Sequence, residues 1–259
     1  MEGIRLFFIN QENSYILNLL SKIVIISVVL FACYIIIKNS NSLRKSSRLR
    51  KRINTVFIYT LILQQLFLTV ENIIFAKNNA FNLVPCYLSR VSIILLIVAL
   101  LTNKRIIKNI SCYLGFFIGT YFLITNNLSN HSYLSNALNY LGYMFLIWGV
   151  TCIISIDSFK LEEKILKSVL IVVNTYCVFL IILTGIFNLN YDIISGNPSS
   201  IYESLSRGSY IFLALLLVNV SIVISHFLIK FILWEIDVNF KLEFKTIIEK
   251  DKLNKAELE

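Results

Sequence analysis

Proline and glycine are scarce: the 259 residues contain 2 and 8 of them. That is too few for a collagen, a Gly-rich linker protein or an all-β chain full of turns. Charge is thin as well, with Asp, Glu, Lys and Arg at 15% of the chain where a soluble domain carries about 25%. Two histidines, His131 and His226, fall in segments that the topology below assigns to different compartments, so they form neither a shared metal site nor a catalytic dyad. The five cysteines (Cys33, Cys86, Cys112, Cys152, Cys177) are odd in number, lie in apolar runs and form no CxxC or Cys/His cluster. Neither a disulfide framework nor a zinc centre is indicated. No Ser/His/Asp order, HExxH, P-loop or GxGxxG occurs, and the scattered glycines build no phosphate loop. No cofactor or metal is expected.

What is abundant is apolar surface. The set AVILMFWYC makes up 57% of the chain, and the mean hydropathy is +0.74. A helix needs about 20 largely apolar residues to cross a ~30 Å hydrocarbon core. Seven runs approach or exceed that length: 15–37, 54–76, 83–101, 110–125, 134–156, 168–187 and 208–234. The fourth is the shortest. The first is not a cleaved signal peptide, because its basic residues follow it and no small-residue cleavage site is present. Runs this long and continuous exclude barrel strands, and no repeat period marks a solenoid. The expected fold is an all-α polytopic membrane protein with seven transmembrane helices.

Charge placement orients it. Lys38, Arg44, Lys45, Arg48, Arg50, Lys51 and Arg52 lie between runs one and two. Lys104, Arg105 and Lys108 lie between three and four, and Lys160, Lys164 and Lys167 between five and six. The alternate loops carry only Lys77, then nothing, then Arg207. This alternation predicts the N-terminus outside and the C-terminus in the cytoplasm. The net charge of +9 is therefore a topology signal and does not point to nucleic acid. The lipid bilayer is the expected partner.

Composition changes after Trp234. Residues 1–234 form the predicted transmembrane domain, and 235–259, EIDVNFKLEFKTIIEKDKLNKAELE, a cytoplasmic helical tail with seven acids and five lysines. Ile236, Phe240, Phe244, Ile247 and Leu258 recur at helical spacing, interrupted by Asp251 and Asn254. This is a partner-seeking face, through which a homodimer is expected.

Ionisable residues within spans are expensive, about 2.5–3.5 kcal/mol each at the helix centre. Glu71 and Arg90 are placed at similar depth near the outer ends of runs two and three, where an ion pair between antiparallel neighbours is feasible. Asn72, Asn136, Asn139, Tyr140, Asn188, Asn190, Tyr191 and Asp192 add polar groups at the same side. The expected ligand-binding set, for a small molecule or lipid headgroup arriving from outside, is Glu71, Asn72, Arg90, Asn136, Asn139, Tyr140 and Tyr191. Lys22 and Lys230 are expected to snorkel, and His226 to face a neighbouring helix.

Two resemblances follow from these residues. The spans followed by NFKLEFKTIIEKDKLNKAELE resemble the N-terminal sensor modules of membrane histidine kinases of low-GC Gram-positive bacteria. That implies a sensory input module of a two-component system at the plasma membrane, without phosphoacceptor histidine or ATP-binding domain in this chain. TGIFNLNYDIISGNP (184–198) and VPCYLS (84–89) resemble segments of the YwaF-like integral membrane family. That implies a lipid-related, acyltransferase-like role, although Tyr87 and Ser89 replace that family's His and Cys. A small-molecule transporter is a third expectation, weakened by the lack of Gly/Pro-broken helices at mid-membrane.

Overall fold

In the computed structural model, residues 15–75, 88–125, 133–157, 159, 163–187 and 207–256 are described. Among them the regular structure is entirely helical: α1 Tyr15–Lys38, α2 Ser40–Lys45, α3 Ser47–Phe75, α4 Leu88–Thr102, α5 Arg105–Thr125, α6 Tyr133–Ile156, α7 Glu163–Phe187 and α8 Arg207–Ala256. Six of these are long and apolar enough to cross a membrane: α1, α3, α5, α6, α7 and α8. The chain is a multi-pass helical membrane protein whose surroundings are lipid.

The helices differ from the apolar runs in ways that have physical causes. The third run appears as α4, an apolar helix of 15 residues, about 22 Å long at 1.5 Å per residue and short of a ~30 Å core. Its predicted first residues, 83–87, lie outside the described residues. The fourth run, expected to be the shortest, is a full-length span because its helix begins at Arg105 rather than Ile110. Charges at a membrane boundary end an apolar run without ending a helix. The same holds for the first basic stretch. Ser40–Lys45 forms α2, and Arg48 to Arg52 stand on the first turns of α3, where a loop was expected.

Only Asn103 and Lys104 separate α4 from α5. Asn103 has φ 55°, and its N–H bonds the Ala99 carbonyl at 3.1 Å. This left-handed cap suits Asn, whose short polar side chain tolerates αL, and it turns the chain back as a tight antiparallel pair.

The core is built around α6, which packs against α1, α2, α3, α4, α5 and α8. In the membrane windows of α5 and α6, 61% of residues are buried, against 6% in α1, so these two helices are the centre and α1 is a rim. Glycine sets the approach. Gly115 and Gly119 of α5 lie so close to Val150 and Ile147 that an added Cβ would stand 2.5 Å from each. This is small-xxx-small packing across an apolar seam. On the other faces of α6, Gly142 seats Gln64 of α3 and Gly149 seats Leu96 of α4.

Candidate functional site

A groove of about 580 Å³ opens between α1, α5, α6 and α8. Ile26, Val29, Leu30 and Cys33 of α1 form one wall, and Phe116, Thr120 and Leu123 of α5 another. Ile147 and Thr151 of α6 form its floor, and Leu228, Phe231 and Ile232 of α8 close the fourth side. From Ile26 to Lys38 the groove follows α1 for about 18 Å. Besides Thr120, whose hydroxyl bonds its own helix at the Phe116 carbonyl, and Tyr34, its polar lining falls in two places. Partway along, Cys33 Sγ lies 3.4 Å from Thr151 Oγ1. At the end where the basic residues collect stand Lys38, Glu235 and Asn239. Lys38 Nζ also lies 5.7 Å from the centroid of the Tyr34 ring, a contact that draws the cation toward an aromatic face. A long apolar trough with polar groups at one end suits a hydrocarbon chain with a polar head.

The basic end is a second concentration of chemistry. Lys108 of α5 pairs with Asp157, the residue after α6, and Arg50 of α3 approaches the same carboxylate at 4.0 Å. Arg44 of α2 donates from Nε to the Ser155 carbonyl at 2.6 Å, satisfying an acceptor in the last turn of α6 that the helix cannot bond itself. Close by in sequence on the same elements are Ser40, Asn41, Asn109, Ser111 and Ser155, exposed by 6% or less. Each has a buried polar atom that makes no hydrogen bond among the described residues: four Oγ or Nδ2 atoms, and Oδ1 of Asn109.

Deeper in the bundle the polar groups pair across helices. Tyr113 of α5 and His226 of α8 share a hydrogen bond, Oη to Nδ1, at 2.7 Å. Asn174 of α7 and Asn219 of α8 exchange side-chain amide bonds at 2.8 and 3.0 Å. Trp148 Nε1 donates to the Val29 carbonyl at 3.2 Å, and Gln64 Nε2 to the Leu138 carbonyl at 3.3 Å. Such bonds hold membrane helices in register. His226 thus faces a neighbour as expected, while Lys22 donates to the Ile124 carbonyl at 3.1 Å, capping α5.

Of the sequence-predicted set, only Arg90, Asn139 and Tyr140 have described side chains. Glu71 lies in the last turns of α3 and Arg90 in the first turn of α4. These antiparallel neighbours pack together, so the backbone places the two residues at one end. Arg90 and Asn139 are half-buried and Tyr140 is buried. The side chains of Glu71, Asn72 and Asn136, and the whole of Tyr191, lie outside the described residues. So do Asn188, Asn190, Asp192, His131 and Cys86. Sequence reasoning missed the groove and the basic-end polar cluster. The signal for the cluster was the run of Ser and Asn beside the first basic stretch.

Residues 8–230 match the TMEM164 family. The chain belongs to that family. No curated protein and no solved structure matches it. Within this TMEM164 family chain, the groove walls on α1, α5 and α6 fall inside the matched region, and so does the basic-end cluster on α2, α5 and α6. Leu228 on the first half of α8 also lies inside it, whereas Phe231, Ile232, Glu235, Asn239 and the remainder of α8 after residue 230 lie beyond it.

Proposed function

We propose that this TMEM164 family protein is a sensory input module of the plasma membrane that takes a lipid chain into the groove and passes its occupancy along α8. One observation supports the reading: the fourth wall of the groove is α8, which continues unbroken for 50 residues. A chain lying against Leu228, Phe231 and Ile232 touches the helix that carries the charged segment after Trp234. Lipid binding then biases α8 by whatever difference in affinity exists between two packings of that wall. In this reading α4 is the seventh span, the basic end is cytoplasmic, and the charged segment of α8 meets a second copy of the chain as the output.

The test uses the full chain in nanodiscs and in lipid-free detergent. Native mass spectrometry is expected to find retained lipid, and Ile232→Trp, which fills the groove, to abolish it. Spin labels at positions 104 and 245 are expected to report a changed distance when lipid returns. Retained lipid with no change in that distance would overturn the signalling half of the proposal.

A second reading, the lipid-modifying role implied by the YwaF-like resemblance, is favoured by one feature. The thiol of Cys33 and the hydroxyl of Thr151 stand where the hydrocarbon chain would lie. Turnover of an added phospholipid by the wild type, lost in Cys33→Ala, would select it.

A further inference from the structure

We propose that the basic end of the bundle binds a phosphate group, presented by a lipid headgroup or as free phosphate, between α2, the start of α5 and the end of α6. The elements converge there by contacts already made. Lys108 of α5 reaches Asp157 beyond α6, and Arg44 of α2 reaches Ser155 at the end of α6. Arg50 approaches the same carboxylate from α3. Two cations therefore face the Asp157 carboxylate and a third is held at the Ser155 carbonyl two residues before it, leaving a local charge of +2.

The unpartnered atoms say what kind of ligand that charge awaits. Ser40, Ser111 and Ser155 have hydroxyls, and Asn41 has an amide NH₂, buried without an acceptor among the described residues. An amide nitrogen only donates, and hydroxyls donate readily to an anion. Burying donors without acceptors is unfavourable, and a group with several charged oxygens removes that penalty at several donors together. A metal cation does not fit, because the single carboxylate is already engaged by Lys108 and the other groups carry no negative charge. A phosphate supplies three or four acceptor oxygens, which is what donors arriving from three helices require. Asn109 Oδ1, the one orphaned atom that can only accept, would accept a hydrogen bond from the P–OH of a monoprotonated monoester. The proposal is independent of what fills the groove.

The experiment titrates the purified full chain, in phosphate-free neutral detergent, with dihexanoyl phosphatidic acid, dihexanoyl phosphatidylcholine and inorganic phosphate. Melting is followed by tryptophan fluorescence and binding by ³¹P line broadening. The expected result is a saturable rise in Tm with at least one probe, and about tenfold weaker affinity in Asn41→Leu and in Ser155→Ala. A response to the lipid probes alone identifies a headgroup site. A response to inorganic phosphate identifies a site for the free ion. Absence of a saturable response to any probe in the wild type, or equal affinity in the variants, overturns the proposal and leaves the cluster to ordered water. Should either variant fail to fold, Arg50→Gln takes its place, because that side chain is 41% exposed. It too must weaken binding.

Discussion

Two layers of the same bundle treat buried polar groups in opposite ways. In the middle, Tyr113 and His226 answer one another, and so do Asn174 and Asn219. Buried Thr184 and Ser225 bond carbonyls one turn back on their own helices. At the basic end, five buried residues keep an unbonded atom among the described residues while three cations gather beside them. Lipid explains the first layer. With no water in the hydrocarbon core, a polar side chain must find its partner inside the protein. The second layer lies among the charged residues at the start of α5 and the end of α6, and its buried polar atoms are left without a partner among the described residues. The middle is built to be finished, and the basic end is built to receive something.

The comparison can be broken in graded steps, each read as denaturation in micelles. The largest effect is expected from Asp157→Asn, which leaves Lys108 and Arg50 facing each other. With both partners of the Lys108–Asp157 pair nearly buried, a loss of about 3 kcal/mol is expected. A neutral result would mean that the basic end is not organised around this carboxylate. Gly115→Val comes next, because its Cβ would collide with Val150. About 2 kcal/mol of overpacking is expected, and unchanged melting would show that the α5–α6 seam is loose. Tyr113→Phe strands the His226 ring nitrogen and is expected to cost about 1–2 kcal/mol. Adding His226→Leu should recover part of that loss, and strictly additive losses would remove the pairing. Asn174→Leu is expected to cost about 1 kcal/mol, with the Asn174→Leu/Asn219→Leu double variant near the wild type. Smallest of all is Ser155→Ala without ligand, within about 0.5 kcal/mol of the wild type or slightly more stable. A drop above about 1 kcal/mol would show that the hydroxyl already has a partner, and the contrast between the layers would fail.

The positions of the helices were legible because lipid imposes a single dominant demand, length of apolar run. That rule placed α1, α3, α6, α7 and α8 near their observed positions. It failed where charge and helix overlap: Arg105 and Lys108 begin α5 in the structure but end an apolar run in the sequence. Ser40 and Asn41 read as loop residues because their partners, if local, should lie nearby in sequence. The contacts that define their layer instead join residues more than forty positions apart, such as Lys108 with Asp157 and Arg44 with Ser155. The Tyr113–His226 bond spans 113 positions. No periodicity announces such a pair, since each member looks like an isolated polar residue on an apolar helix. The glycines were the missed clue. Gly115 and Gly119, four apart on α5, are the sequence mark of a helix that approaches its neighbour closely.

The length of α8 has a mechanical consequence. Fifty residues of helix make a rod of about 75 Å, of which a hydrocarbon core of ~30 Å holds less than half. The remainder is a lever whose fulcrum lies beside Ile232 and Ile236, both buried against the bundle. The roughly 20 residues from there to Ala256 make an arm of ~30–36 Å, and a tilt of about 5° at that fulcrum sweeps its far end through about 3 Å, roughly half the pitch of a helical turn. A small change in the packing of α8 is therefore amplified at its far end, with the helix itself intact.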